Sequence, residues 1–128
     1  MVKPDMEQLI DSWLTFSNEE VDTPIYKEYF WAYSEVASLL TDDPSKAWEI
    51  IQKFCSREMT ERQELCFACG PLEVFVHEHG KQYIDQIEAF AAANPKLAEL
   101  LGGVWRSDAV ADEIWTRIEV LRGEPWGP

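Results

Sequence analysis

The chain is short of positive charge. Its 128 residues carry 11 Lys and Arg against 24 Asp and Glu, a formal net charge of −13. That balance excludes a general binder of the phosphate backbone, which needs a basic face, and it disfavours docking on anionic lipid. Long apolar runs are also missing. No window approaches 18 consecutive apolar residues, so no membrane span is expected. The N-terminal MVKPDMEQLIDSW lacks the apolar core of a signal peptide, and a cytoplasmic location is expected. Cysteine is scarce and odd in number: Cys55, Cys66 and Cys69 suit reduced thiols rather than a disulfide framework. Gly-rich phosphate loops, G-x-S-x-G elbows and H-E-x-x-H helices are absent, which argues against the common enzyme classes. No enzyme activity and no cofactor are expected.

What the chain does have is apolar and aromatic mass: 46% hydrophobic residues, including six Trp. That is too much for intrinsic disorder and suits one domain of this length. The spacing is helical nearly throughout. Met6, Leu9, Ile10, Trp13 and Leu14 follow the i, i+3, i+4 rule; so do Tyr83, Ile84, Ile87, Phe90 and Ala91, and again Ala111, Ile114, Trp115, Ile118 and Leu121. Thr23-Pro24, Asp43-Pro44 and Asn94-Pro95 each pair a capping side chain with proline at the first helical position. Thr60-Glu61-Arg62-Gln63 reads as a capping box, and Gly70-Pro71 as a start with glycine as cap. Gly80, Gly102-Gly103 and Gly123 are expected stops. The prediction is all-α: one compact domain over 1–123 with an irregular tail at 124–128. Its seven to eight short antiparallel helices fall at about 5–17, 24–41, 44–57, 61–69, 71–79, 81–93, 95–101 and 108–122. Leu72–Val76 is β-branched and aromatic enough for a strand, but a lone strand has no partner, and helix is the expected state. The Asp43-Pro44 and Asn94-Pro95 pairs lie 51 residues apart, as stacked helical hairpins would place them, though no sequence repeat accompanies them.

Four groups of residues carry candidate chemistry. Cys66-x-x-Cys69, with Cys55, His77 and His79 nearby, has the residue types of a metal or redox site. The two His diverge on a helix, however, and the thiols sit towards a helix C-terminus, where the dipole disfavours thiolate; small buried cysteines and no metal are expected. Glu73 and His77 form an i, i+4 pair that a general-base reading would use, but Glu73, at the third position of a helix beginning with Pro71, is expected to reach back to the Gly70 N–H. Trp31 falls on the polar stripe of its helix among Lys27, Glu28, Ser34 and Glu35. Burial under another helix is the favoured expectation, and an exposed anchor for a partner is the alternative. Finally, residues 1–45 hold ten acids against Lys3 and Lys27, which is −8 of the total, whereas residues 46–64 balance at four against four. A solvated acidic face and a surface matched to a basic partner both fit this pattern.

Several phrases occur together: Trp31-Ala32-Tyr33, Asp43-Pro44-Ser45-Lys46-Ala47-Trp48, Ala68-Cys69-Gly70-Pro71-Leu72-Glu73, His79-Gly80 and Leu101-Gly102-Gly103-Val104-Trp105. On these the chain resembles a family of small bacterial proteins whose function is unknown, from about Leu9 to Leu121. The resemblance implies a bacterial origin and an all-helical domain and supplies no activity. Cys66 and Cys69 stand where the family pattern has other residues such as alanine, which weakens a metal or redox site further. The Gly-Pro-Leu-Glu and Gly-Val-Trp phrases either line a shared pocket, with Glu73, His79 and Trp105, or form joints of the fold.

The function expected from these readings is binding rather than catalysis. The first candidate is an acidic immunity-type protein that neutralises a toxin, through Trp31 with Glu19, Glu20, Asp22, Glu28 and Glu35. The partner is a protein with a basic surface, a toxin or a defence-complex subunit. A close variant is a phage-encoded inhibitor whose carboxylates imitate phosphates in a nucleic-acid-binding defence complex. A third reading is a small enzyme with Glu73, His77 or His79, Trp105 and Arg106 around a pocket, and a fourth is an adaptor acting only within an assembly.

Overall fold

The first four helix starts in this chain are set by capping side chains. In the computed structural model, which describes residues 5–126, Asp5 opens α1 (Met6–Ser17) with a reciprocal box: its carboxylate accepts the Gln8 N–H at 2.7 Å while the Gln8 side chain accepts the Asp5 N–H at 3.0 Å. Thr23 caps α2 (Pro24–Asp42) through Tyr26 N–H at 3.2 Å, and Asp43 caps α3 (Pro44–Phe54) through Lys46 N–H at 3.2 Å. The Thr60/Gln63 box before α4 (Glu61–Phe67) forms in both directions, at 2.8 and 3.1 Å. Each cap supplies an acceptor to a backbone donor that the helix itself leaves orphaned. Asn94 departs from the pattern: it makes no side-chain cap for α6 (Pro95–Leu101), and its Nδ2 donates instead to Phe90 O at the end of the preceding helix.

The chain is all-helical, with no strand among the described residues, and Leu72–Val76 is helical. Its contacts divide it into two compact units, one ending at Cys66 and the other beginning at Phe67. In the first, α1 packs along α2, and α3 returns against both. Trp13 of α1 meets Phe54 of α3 edge-on at 5.2 Å within a core that includes Ile10, Val36 and Ile51. Arg57 ties α3's exit to α1 through Glu7 and Asp11, each at 2.5 Å; these two carboxylates hold its guanidinium protonated more firmly than usual. Side chains of α4 close α1's C-terminus: Gln63 donates to Leu14 O, and Arg62 donates to Ser17 O and Glu19 O. Leu14 O and Ser17 O lie in the last turn of α1, where carbonyls lack backbone donors further along the helix, and Glu19 O lies just beyond it.

In the second unit the expected boundaries shift for identifiable reasons. Gly70-Pro71 does not begin a new helix. It sits inside a π turn (Ala68–Leu72), where the Glu73 N–H reaches back five residues to Ala68 O. The wider turn accommodates a proline that has no N–H to give. Gly80 does not stop a helix either. α5 (Glu73–Ala93) runs straight through it, replacing the two helices expected at 71–79 and 81–93. Gly80 is buried where α5 packs on α7, and a Cβ there would stand at an ordinary contact distance, 3.4 Å, from Ile114 Cγ2. α7 (Asp112–Arg122) starts four residues later than 108, and α3 ends at Phe54 rather than 57. Gly123, at φ +69°, does end its helix in the left-handed conformation that glycine tolerates. Residues 124–126 have no regular secondary structure; the rest of the expected tail, 127 and 128, and residues 1–4 lie outside the described residues.

Arg117 joins α7 to α5 by donating to Asp85 at 2.6 Å and, in fork fashion, to Glu88. The guanidinium holds the Glu88 carboxyl below its ordinary value near 4.5. Because the folded value is depressed, this contribution is present above that pH and is lost as pH falls through the folded value. The stability difference between wild type and Arg117→Gln in urea titrations should therefore shrink below about pH 4.5. A difference independent of pH from 3 to 7 would assign Arg117 a packing role instead.

Candidate functional site

Three helices of the first unit converge on one groove. Asp5, Met6 and Leu9 come from the start of α1, Trp31, Glu35 and Leu39 from the middle and later turns of α2, and Asp43 and Lys46 from the start of α3. The groove encloses about 340 Å³. Trp31, Glu35 and Leu39 line it together because they are spaced by four residues and share a helix face. The favoured expectation of a covered Trp31 is overturned: the side chain is 41% exposed. Only Ala32, Val36 and Leu40 of α2 are fully buried, so the opposite flank of the helix is left to the polar stripe on which Trp31 lies.

The other residues expected beside Trp31 are distributed unevenly. Glu35 lines the groove and Glu28 is exposed one turn before Trp31 on the same flank. Glu19, Glu20 and Asp22 belong to the connection between α1 and α2, at the far end of α2. The eleven helical steps from Pro24 to Glu35 alone span roughly 16 Å. Asp22 takes φ +67°, a left-handed position that Asp tolerates better than most residues. Sequence reasoning had not connected Asp5, Asp43 and Lys46 with Trp31. The readable signal was that the first two are N-caps, which sit at helix ends where neighbouring helices meet.

The second unit brings Glu73, His77 and Trp105 together, through the Trp105 backbone. Glu73 does not reach back to Gly70. Its Oε1 accepts the Trp105 N–H at 2.7 Å, and one helical turn on, His77 Nε2 stands 2.6 Å from Trp105 O. A carbonyl only accepts, so Nε2 carries the proton. His79 is not part of this arrangement; its ring packs on Phe75 and its Nε2 lies 4.0 Å from Glu78. Arg106 pairs with Asp112 and donates to Val110 O.

The backbone before Trp105 is tied down in the same way. Gly102 O accepts the Trp126 N–H at 2.8 Å, Gly103 O faces Cys69 Sγ at 3.4 Å, and Val104 O accepts from Arg122 Nη1 at 3.1 Å. Four successive carbonyls thus receive donors from the π turn, α5, α7 and the tail. The Gly-Pro-Leu-Glu and Gly-Gly-Val-Trp phrases are two sides of a joint in the fold. Its products are a fixed loop and a Trp105 indole that is 66% exposed.

The cysteines also differ from expectation. Cys69 is exposed and Cys55 and Cys66 are half-buried, since Cys66 Sγ turns to Ser17 O and Cys69 Sγ to Gly103 O. Among the described residues no three His, Cys, Asp or Glu are grouped so as to hold a metal ion, the three groove carboxylates included. No helix among them is long and apolar enough to cross a membrane.

A sequence model described as a family of unknown function (DUF6869) matches residues 19–125. No curated protein and no solved structure matches the chain.

Proposed function

The chain belongs to the family of unknown function DUF6869, and from that premise we propose that it is an acidic protein-binding domain, non-enzymatic and of the immunity type, that neutralises a basic partner in a bacterial cytoplasm. The observation that carries this reading is the groove: an exposed Trp31 bordered by Asp5, Glu35 and Asp43 in the part of the chain that holds most of the net charge. Aromatic side chains in a charged rim are the usual anchors of protein interfaces, and complementary charge speeds encounter and rejects wrong partners. A toxin that acts on nucleic acid has the basic surface such a domain would meet. Inhibition of a nucleic-acid-binding defence complex by phosphate mimicry uses the same surface and differs in the partner.

The test is affinity capture from the native host, followed by direct binding of the purified, identified partner. Two variants are compared with wild type: Glu35→Lys at the groove and the triple Glu19→Lys/Glu20→Lys/Asp22→Lys at the far end of α2. A basic partner is expected, with affinity falling steeply between about 50 and 500 mM salt. Glu35→Lys should lower affinity by roughly tenfold or more, and the triple variant should act mainly on the association rate. Binding that ignores salt and both variants would refute the reading.

A further inference from the structure

We infer that the Trp31 groove is a receptor for a single arginine side chain presented by the partner. The inference rests on the reading above and adds the chemical identity of the group that enters. Met6, Leu9 and Leu39 give the groove an apolar part of its lining, which suits the three-carbon stem of arginine. Trp31, the aromatic residue type that attracts a cation most strongly, lines the same groove and is exposed. This chain already uses that contact elsewhere: the Arg122 guanidinium lies 4.8 Å over the Trp115 ring. The rim carries three carboxylate residues. Together with Trp31 they give the groove the negative charge and the aromatic surface that a cationic side chain needs. Two of them are held in position in advance. Asp5 is fixed by the Gln8 N–H and Asp43 by the Lys46 N–H, so little side-chain freedom is lost when a cation arrives. Guanidinium suits this set better than ammonium because it stacks on indole and still presents in-plane donors to carboxylates.

Lys46 also lines the groove and supplies the argument's sharpest consequence. Its ammonium opposes an incoming cation, so removing it should strengthen binding of arginine. If the groove held an anion instead, using Lys46 and the two helix N-termini, the same change would weaken binding.

The experiment titrates the full chain with acetyl-Gly-Arg-Gly-amide, its lysine and citrulline counterparts, and inorganic phosphate. The readout is the Trp31 indole N–H resonance, identified by its absence in Trp31→Phe. Millimolar binding of the arginine peptide is expected, roughly three- to tenfold tighter than lysine, with citrulline lost. Glu35→Gln should weaken it by about threefold or more, and Lys46→Met should tighten it by about two- to fivefold. Both changes are at solvent-accessible positions, and retained folding is checked by circular dichroism. Equal binding of lysine and arginine, binding of citrulline, weakening by Lys46→Met, or a shift caused by phosphate alone would each overturn the arginine assignment. None of these outcomes touches the salt dependence of partner capture, by which the broader reading stands or falls separately.

Discussion

Gly103→Ala is expected to lower unfolding free energy by about 1–3 kcal/mol, the usual cost of forcing atoms into a packed site. The reason is space rather than backbone conformation. A Cβ at Gly103 would lie 2.6 Å from the Trp126 ring and 2.8 Å from Ala68 Cβ, and one at Gly102 would lie 2.8 Å from the same indole. Gly102 itself is right-handed at φ −60°, a value any residue adopts. The two obstacles differ in how far they yield. Trp126 belongs to the irregular tail and can swing away, whereas Ala68 is fixed in the π turn. In a Trp126→Ala background the cost of Gly103→Ala should therefore fall but not vanish, and a double-mutant cycle in urea measures the difference. Limited proteolysis should cut the tail of Gly103→Ala earlier than that of wild type. Equal stability of the single variant and wild type would mean that neither the indole nor Ala68 crowds the glycine seat in solution.

That pair of glycines marks what the sequence made legible and what it did not. Helix starts were readable because a cap is a local event: Thr23, Asp43 and Thr60 each act on a backbone donor two or three residues away. Glycines were read locally too, as places where a helix stops. Gly123 fits that rule. So does Gly102, which closes α6, but Gly102 and Gly103 also make room for Trp126, more than twenty positions away, and Gly80 lies inside α5 against Ile114; no local pattern announces either contact. Pro71 was misread for a related reason. A proline inside a helix is expected to end it, unless the turn widens to absorb the missing donor. Trp31 was placed correctly on the polar stripe by periodicity. Whether another helix covers that stripe depends on contacts between elements, which periodicity does not contain. The acidic excess was visible as a total, but that Asp5 and Asp43 stand beside Trp31, while Glu19 and Glu20 stand at the other end of α2, follows only from how α1 and α3 pack.

Glu73→Ala is expected to cost roughly 1.5–3 kcal/mol, the range for a hydrogen bond to a charged group. It removes the acceptor of the Trp105 N–H, a bond of 2.7 Å between a helix and a loop. Glu73→Gln keeps an acceptor at the same reach and should lose less than half as much. His77→Ala removes the donor to Trp105 O and should cost about 0.5–1.5 kcal/mol. Both groups grip one residue's backbone, so losing either loosens the other, and the double variant should cost less than the sum. Amide exchange at Trp105 is the direct readout: fast in Glu73→Ala, nearly native in Glu73→Gln. This separates the joint from the enzyme reading of the same residues. A general base at Glu73 would be disabled by Gln as fully as by Ala, because the amide cannot take a proton. A joint distinguishes the two, because what Trp105 needs from position 73 is an oxygen lone pair. If Glu73→Gln opens the loop as much as Glu73→Ala does, the carboxylate's charge, and not its role as acceptor, holds Trp105 in place.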